Sequence, residues 1–156
     1  MFKFTTSAIV LIALVSVALA DVEEPAGIEY TLNVVQDIDA YKAAHPELDV
    51  VPLEASRNAR QQIVYTLGNR VSGDRLVATN QDGQSWSTLQ DVSLDLSYPQ
   101  SGVGAVVSYV QVVVNQSSNQ GRGYVVSGGI GQRYIRLVIE AYSTSYFNFN
   151  AQIYGR

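Results

Sequence analysis

The chain has 156 residues, nearly half of them hydrophobic, with 14 acidic against 10 basic side chains and no cysteine. Without cysteine there are neither disulfides nor thiolate metal sites, so stability has to come from packing. The acidic balance excludes the basic footprint that direct nucleic-acid binding depends on.

Residues 1–20 carry Lys3, an apolar run from Ala8 to Leu19 broken only by Ser16, and the small residues of Ala18-Leu19-Ala20. This pattern reads as a secretory signal peptide cleaved between Ala20 and Asp21. A membrane anchor needs roughly 20 apolar residues, and Asp21, Glu23 and Glu24 follow directly. Val103–Val114 is shorter and contains polar residues, so the mature chain is expected to be secreted, with no membrane span after cleavage.

Residues 21–60 hold 9 acidic and 3 basic side chains, net −6, whereas residues 61–156 hold 5 acidic and 6 basic, net +1. Val34, Ile38 and Tyr41 recur at helical spacing between Tyr30 and Ala44, which predicts one short amphipathic helix. His45-Pro46 ends it, because the residue before proline is pushed from the α region. The stretch reads as an acidic leader or propeptide outside the main core. Arg57 and Arg60 have the minimal spacing of a convertase site, and the alternatives are a propeptide junction and a solvated linker.

From residue 61 the period becomes two. Ile63, Tyr65 and Leu67, then Val92, Leu94 and Leu96, then Ile135, Leu137, Ile139 and Ala141, and last Phe147, Phe149, Ala151 and Ile153 alternate with mostly polar neighbours. Successive strand side chains face opposite sides, so each run predicts a strand with one buried face. Turn residues fall between them at 68–69, 72–74, 80–83, 99–102, 117–123 and 127–129. About seven strands are predicted, near 63–67, 74–79, 86–97, 104–114, 123–128, 132–142 and 147–154. The fold class is all-β, a small antiparallel β-sandwich or barrel over residues 61–156.

Candidate chemistry is sparse. His45 is the only histidine and lies in the leader, with no nucleophile-elbow motif to serve it. Asp91 and Asp95 share a strand face roughly 13 Å apart, beyond the ~5–9.5 Å of glycosidase pairs, and are read as solvent-facing. Asn80-Gln81-Asp82-Gly83 lacks the ligand succession of a calcium loop, and Ser127–Gly131 leads into a strand where a phosphate loop leads into a helix. No catalytic residue, metal site or cofactor is expected. Asn115-Gln116-Ser117 is a glycosylation sequon in a polar turn segment. Tyr142, Tyr146 and Tyr154 are candidates for a contact surface, since an aromatic ring supplies area and its hydroxyl a hydrogen bond.

Three blocks read together carry a resemblance: Leu67–Val77 (LGNRVSGDRLV), Ser127–Arg133 (SGGIGQR) and Tyr146–Gly155 (YFNFNAQIYG). They resemble the insect multiprotein bridging factor 2 family over roughly residues 61–156. The family is named for a transcriptional coactivator that joins a DNA-binding factor to the general transcription machinery, and many relatives look secreted. The resemblance therefore implies a non-enzymatic protein-binding domain. Its partner would be an unknown extracellular ligand, or a transcription factor if the family name holds literally. No site residue is implied.

Overall fold

The computed structural model describes residues 27–35, 38–48 and 51–156. The signal-peptide reading and its junction at Ala20–Asp21 lie outside the described residues. The elements are β1 (Glu29–Val35), α1 (Ile38–Ala44), a 3-10 turn (Pro46–Leu48), β2 (Val51–Pro52), β3 (Glu54–Arg57), β4 (Ile63–Gly68), β5 (Arg75–Tyr98), β6 (Val107–Gln116), β7 (Gly121–Gly128) and β8 (Ile135–Gly155). All strand pairs are antiparallel. The order runs β1-β5-β8-β6-β4-β3, with β7 bridging β8 and β2. The all-β expectation holds, and the sheet stays open at β1 and β3, so the barrel alternative is not realised.

Two of the predicted boundaries disappear. The strands expected at 74–79 and 86–97 are one 24-residue strand, β5, and those at 132–142 and 147–154 are one 21-residue strand, β8. The turn expected at Asn80–Gly83 is strand: Gln81, Asp82 and Gly83 face Asn150, Phe149 and Asn148. Asp82 accepts hydrogen bonds from the Tyr30 hydroxyl and from the Gly83 amide. A Cβ on Gly83 would lie 1.8 Å from the Asn148 side-chain oxygen, so glycine here admits a close neighbour and turns nothing. Turn-prone residues permit a reversal, and continuous pairing with a partner overrides them.

Both long strands bend midway. The β5–β8 register shifts between Ser85, Gln90 and Val92, as a bulge does when it kinks a strand. Opposite, Ser143 takes φ +51°, and its amide donates to Asp91 Oδ1 at 2.8 Å. The bend divides the sheet into halves. One holds the start of β5 and the end of β8 with β6, β4 and β3, and the other holds the end of β5 and the start of β8 with β1, β7 and β2.

The inner faces of the two halves meet as a sandwich does. Val92, Leu94 and Leu96 from one half, and Val110, Val112, Val114, Phe147, Phe149, Ala151 and Ile153 from the other, are at most 3 % exposed. A small apolar cavity of about 10 Å³ between them is lined by Ile28, Leu96, Val110 and Ile153 among others. Tyr65 of β4 packs over β7, where a Cβ on either Gly121 or Gly123 would come within 2.8 Å of the ring or its hydroxyl.

The reading of 21–60 as a segment outside the core is corrected. β1 pairs with β5 through seven residues, and β3 pairs with β4. Ile28 and Leu53 belong to the core, and the Leu53 amide donates to Gly123 O at 2.9 Å. Ile28, Tyr30 and Leu32 alternate with Glu29, Thr31 and Asn33, a period of two that the acidic composition obscures. The helix accordingly begins only at Ile38.

Candidate functional site

The least expected chemistry lies on the outer face of the half-sheet formed by β1, β5, β8 and β7. Register places Asn33, Ser93, Glu140 and Arg122 in one row across these four strands. Side chains directly opposite on neighbouring strands have Cβ atoms about 5 Å apart. An outer face is ordinarily wet, yet Ser93, Val138 and Glu140 are each 0 % exposed. Part of the cover is α1, whose Lys42 reaches down to Glu140.

Glu140 is a fully buried carboxylate with one oxygen left unpartnered. Its Oε2 accepts a hydrogen bond from the Tyr142 hydroxyl and lies 3.6 Å from Lys42 Nζ. Lys42 Nζ also sits 5.9 Å from the centre of the Tyr142 ring, within cation–π range. Glu140 Oε1 and Ser93 Oγ, opposite one another, have no hydrogen-bond partner. Burial, the Glu140 hydrogen bond and its charge together push the Tyr142 hydroxyl well above the ordinary phenol range. Arg122, beside Tyr124 and hydrogen-bonded to it, is raised as well, chiefly by that bond. Beneath the sheet the Tyr65 hydroxyl is pushed up to about 12, first by burial and then by Tyr124 and Glu140. The arrangement is a carboxylate, a hydroxyl and an aromatic face converging on one ammonium group.

The residues singled out from sequence are dispersed. Tyr142 lies in this site, half-buried and committed to Glu140. Tyr154 is on the other side of the bend, with the Arg70 guanidinium 3.7 Å from its ring centre and Tyr109 at 5.9 Å. Tyr146 faces Ser85 near the bend. The three therefore do not form one contact surface. Asp91 and Asp95 are not simply solvent-facing: Asp91 holds the Ser143 amide, and Asp95 takes a bidentate pair from Arg136. Asn115 is exposed at the end of strand β6, not in the turn, while Ser117 is tied to Thr144. Arg57 closes β3 and donates to Asn119 O at 3.1 Å, and Arg60 is exposed in the turn that Asn58 holds through the Arg60 and Gln62 amides. Among the described residues no group of three or more His, Asp or Glu could hold a metal ion, and no helix is long and apolar enough to cross a membrane.

Sequence reasoning missed Ser93, Lys42 and Glu140 because the alternation of β8 places Glu140 on the wetter face. Two signals were there to read. Val138 is apolar on that same face, and Lys42 is the only lysine after Lys3.

The three blocks of the family resemblance converge at one end of the sheet. A Cβ on Gly68 would lie 2.6 Å from Ile130, so the first and second blocks touch. Arg70 grips Asp74 through two guanidinium nitrogens and stacks on Tyr154, joining the first to the third. Asp74 also accepts from the Val71 amide and the Ser108 hydroxyl, and these bonds, Arg70's first among them, hold its carboxyl well below the usual range. Comparison with curated proteins found no match, and comparison with solved structures found none either. The model of one protein family, described as Transcription activator MBF2, matches residues 67–155, more than half of the chain and all three blocks. The chain belongs to the MBF2 family.

Proposed function

We propose that this is a secreted, non-enzymatic binding protein of an insect extracellular fluid. The observation that carries the reading is the N-terminal sequence, in which Lys3, the Ala8–Leu19 run and Ala18-Leu19-Ala20 compose a cleavable export signal. The Glu140 site supports binding over catalysis, since its carboxylate is engaged by an ammonium group and a phenol, with no nucleophile and base aligned. Exposed Asn115 adds an acceptor for glycosylation along the same route.

A tagged copy expressed in insect cells tests the reading. Processed protein in the medium, beginning at Asp21, is the expected result. An N-terminus at Gln61 would show in addition that the leader is a propeptide cut after Arg60. A nuclear pool retaining Met1 would overturn the proposal.

The family name favours a second reading, a coactivator that bridges a DNA-binding factor to the transcription machinery. Val71, Leu76 and Ile130 support it: these exposed apolar side chains lie within the converged blocks and offer a surface for protein contact. The same expression experiment discriminates the two.

A further inference from the structure

We propose that the side-chain cluster of Glu140, Ser93 and Tyr142 is an ammonium-binding site, occupied within the chain by Lys42 and open to the primary amine of a ligand when α1 lifts from the sheet. The proposal rests on reading the chain as a binding protein, and not on where the chain works.

The chemistry follows from what Glu140 lacks. A carboxylate removed from water needs strong donors, and an ion pair alone rarely offsets the desolvation. Lys42 Nζ stands 3.6 Å from one oxygen, an ion-pair distance but longer than the ~2.7–3.2 Å of a hydrogen bond. Glu140 Oε1 and Ser93 Oγ stay unpartnered although both residues are fully buried. An ammonium has three N–H donors and no acceptor. Set between the two strands, it would donate to both Glu140 oxygens and to Ser93 Oγ, with the Tyr142 ring beside it. The resident lysine meets only part of this demand, so a free amine has more to gain than Lys42 has to lose.

The cover is of a kind that can be exchanged. α1 has seven residues, short of the ~12–15 that an isolated helix needs to persist. Asp39, Ala40, Ala43 and Ala44 are exposed, and the Lys42 side chain is one-third exposed while Glu140 is sealed. The Lys42–Glu140 ion pair is the contact that an incoming amine would replace. An internal occupant lowers apparent affinity by the fraction of time it fills the site.

Titration calorimetry on the full chain tests this with n-butylammonium as the probe. Lys42→Met, which keeps the stem and removes the charge, is expected to bind at least tenfold more tightly than the parent. In the K42M background, Ser93→Ala should weaken binding several-fold and Glu140→Gln at least tenfold, with circular dichroism checking the fold. The Ser93 variant keeps the test decisive if the Glu140 variant does not fold. Butyltrimethylammonium, lacking N–H donors, should bind at least tenfold more weakly than n-butylammonium. Nα-acetyl-lysine amide, with its side-chain amine free, run alongside identifies the source: tighter binding than the probe points to a protein lysine, and equal binding to a small amine, both within the proposal. K42M binding no tighter than the parent, or unchanged affinity in both K42M double variants, would overturn it. A failed titration leaves the secretion experiment intact, and the reverse also holds.

Discussion

Ile28→Ala puts the leader's place in the fold to a quantitative test. Ile28 precedes β1, is 3 % exposed, and lines the small apolar cavity between the two halves with Leu96, Tyr98, Val110 and Ile153. The substitution removes three carbons, worth roughly 0.8 kcal/mol each on transfer from water, or about 2.4 kcal/mol. It also enlarges the cavity by roughly 50–60 Å³, which at about 24 cal/mol per Å³ adds about 1.3 kcal/mol. A loss of about 3–4 kcal/mol is expected, read in urea as a lower midpoint at unchanged slope. Val34→Ala, at a 42 % exposed position in β1, is the control and should stay within about 0.5 kcal/mol. A loss below about 1 kcal/mol for Ile28→Ala would refute the docking of this segment into the core.

Four further outcomes follow. Gly123→Ala would set a Cβ 2.8 Å from Tyr65 and 2.9 Å from Leu53, and overpacking of this kind should cost about 1–3 kcal/mol in the same assay. Asp74 has its folded pKa held below the unfolded one, so its contribution is complete above the ordinary carboxylate range and drains away as pH falls through it. Asp74→Asn should flatten the acid limb of a stability profile between about pH 5 and 2. Tyr65 and Tyr142 are shifted upward; stability is therefore full below about pH 10 and declines above it, where the unfolded chain ionises first. Absorbance titration near 295 nm should show a late-ionising class of phenols. Last, a chain cut after Arg60 should migrate as one species on a native gel, because β1 keeps its seven-residue pairing with β5 and β3 its pairing with β4; separation without denaturant would contradict that pairing.

How far the sequence reaches depends on whether a residue's fate is decided locally. Leu137, Ile139, Phe147 and Phe149 were legible as core because their alternation is set by the pleat itself. The bends were not, since Asn80–Gly83 has the composition of a turn and the actual kink lies at Ser85–Val92, fixed by a bulge and by Ser143 across the ladder. The leader was misread for a related reason. Its acidic side chains face solvent while Ile28 and Leu53 reach the core from sparse apolar positions, and pairing between residues as far apart as Glu29 and Ser97 leaves no local mark. The Glu140 site was hidden most deeply. Ser93 and Glu140 look like ordinary outward positions until a distant segment covers them, and only Val138 and the isolated Lys42 hint at the cover.

The position of β8 has a consequence for how the protein comes to be folded. It follows β5, β6 and β7 in the chain, yet it is the spine of the sheet, pairing with β5 along nearly its whole length and with β6 and β7 on its other side. None of those pairings can form until the β8 residues that make them have been synthesised. The pairings of β8 with β5 and β6 and of β1 with β5 are long-range, and such topologies fold slowly because loop closure must precede any reward. During that interval β5 and β6 present unpaired edges of the kind that recruit other chains. The hairpin of β3 and β4 can form early, and β1 can join β5 as soon as β5 exists. The segment that resembled a disposable leader would then shield one edge of the longest strand while the chain waits for its centre.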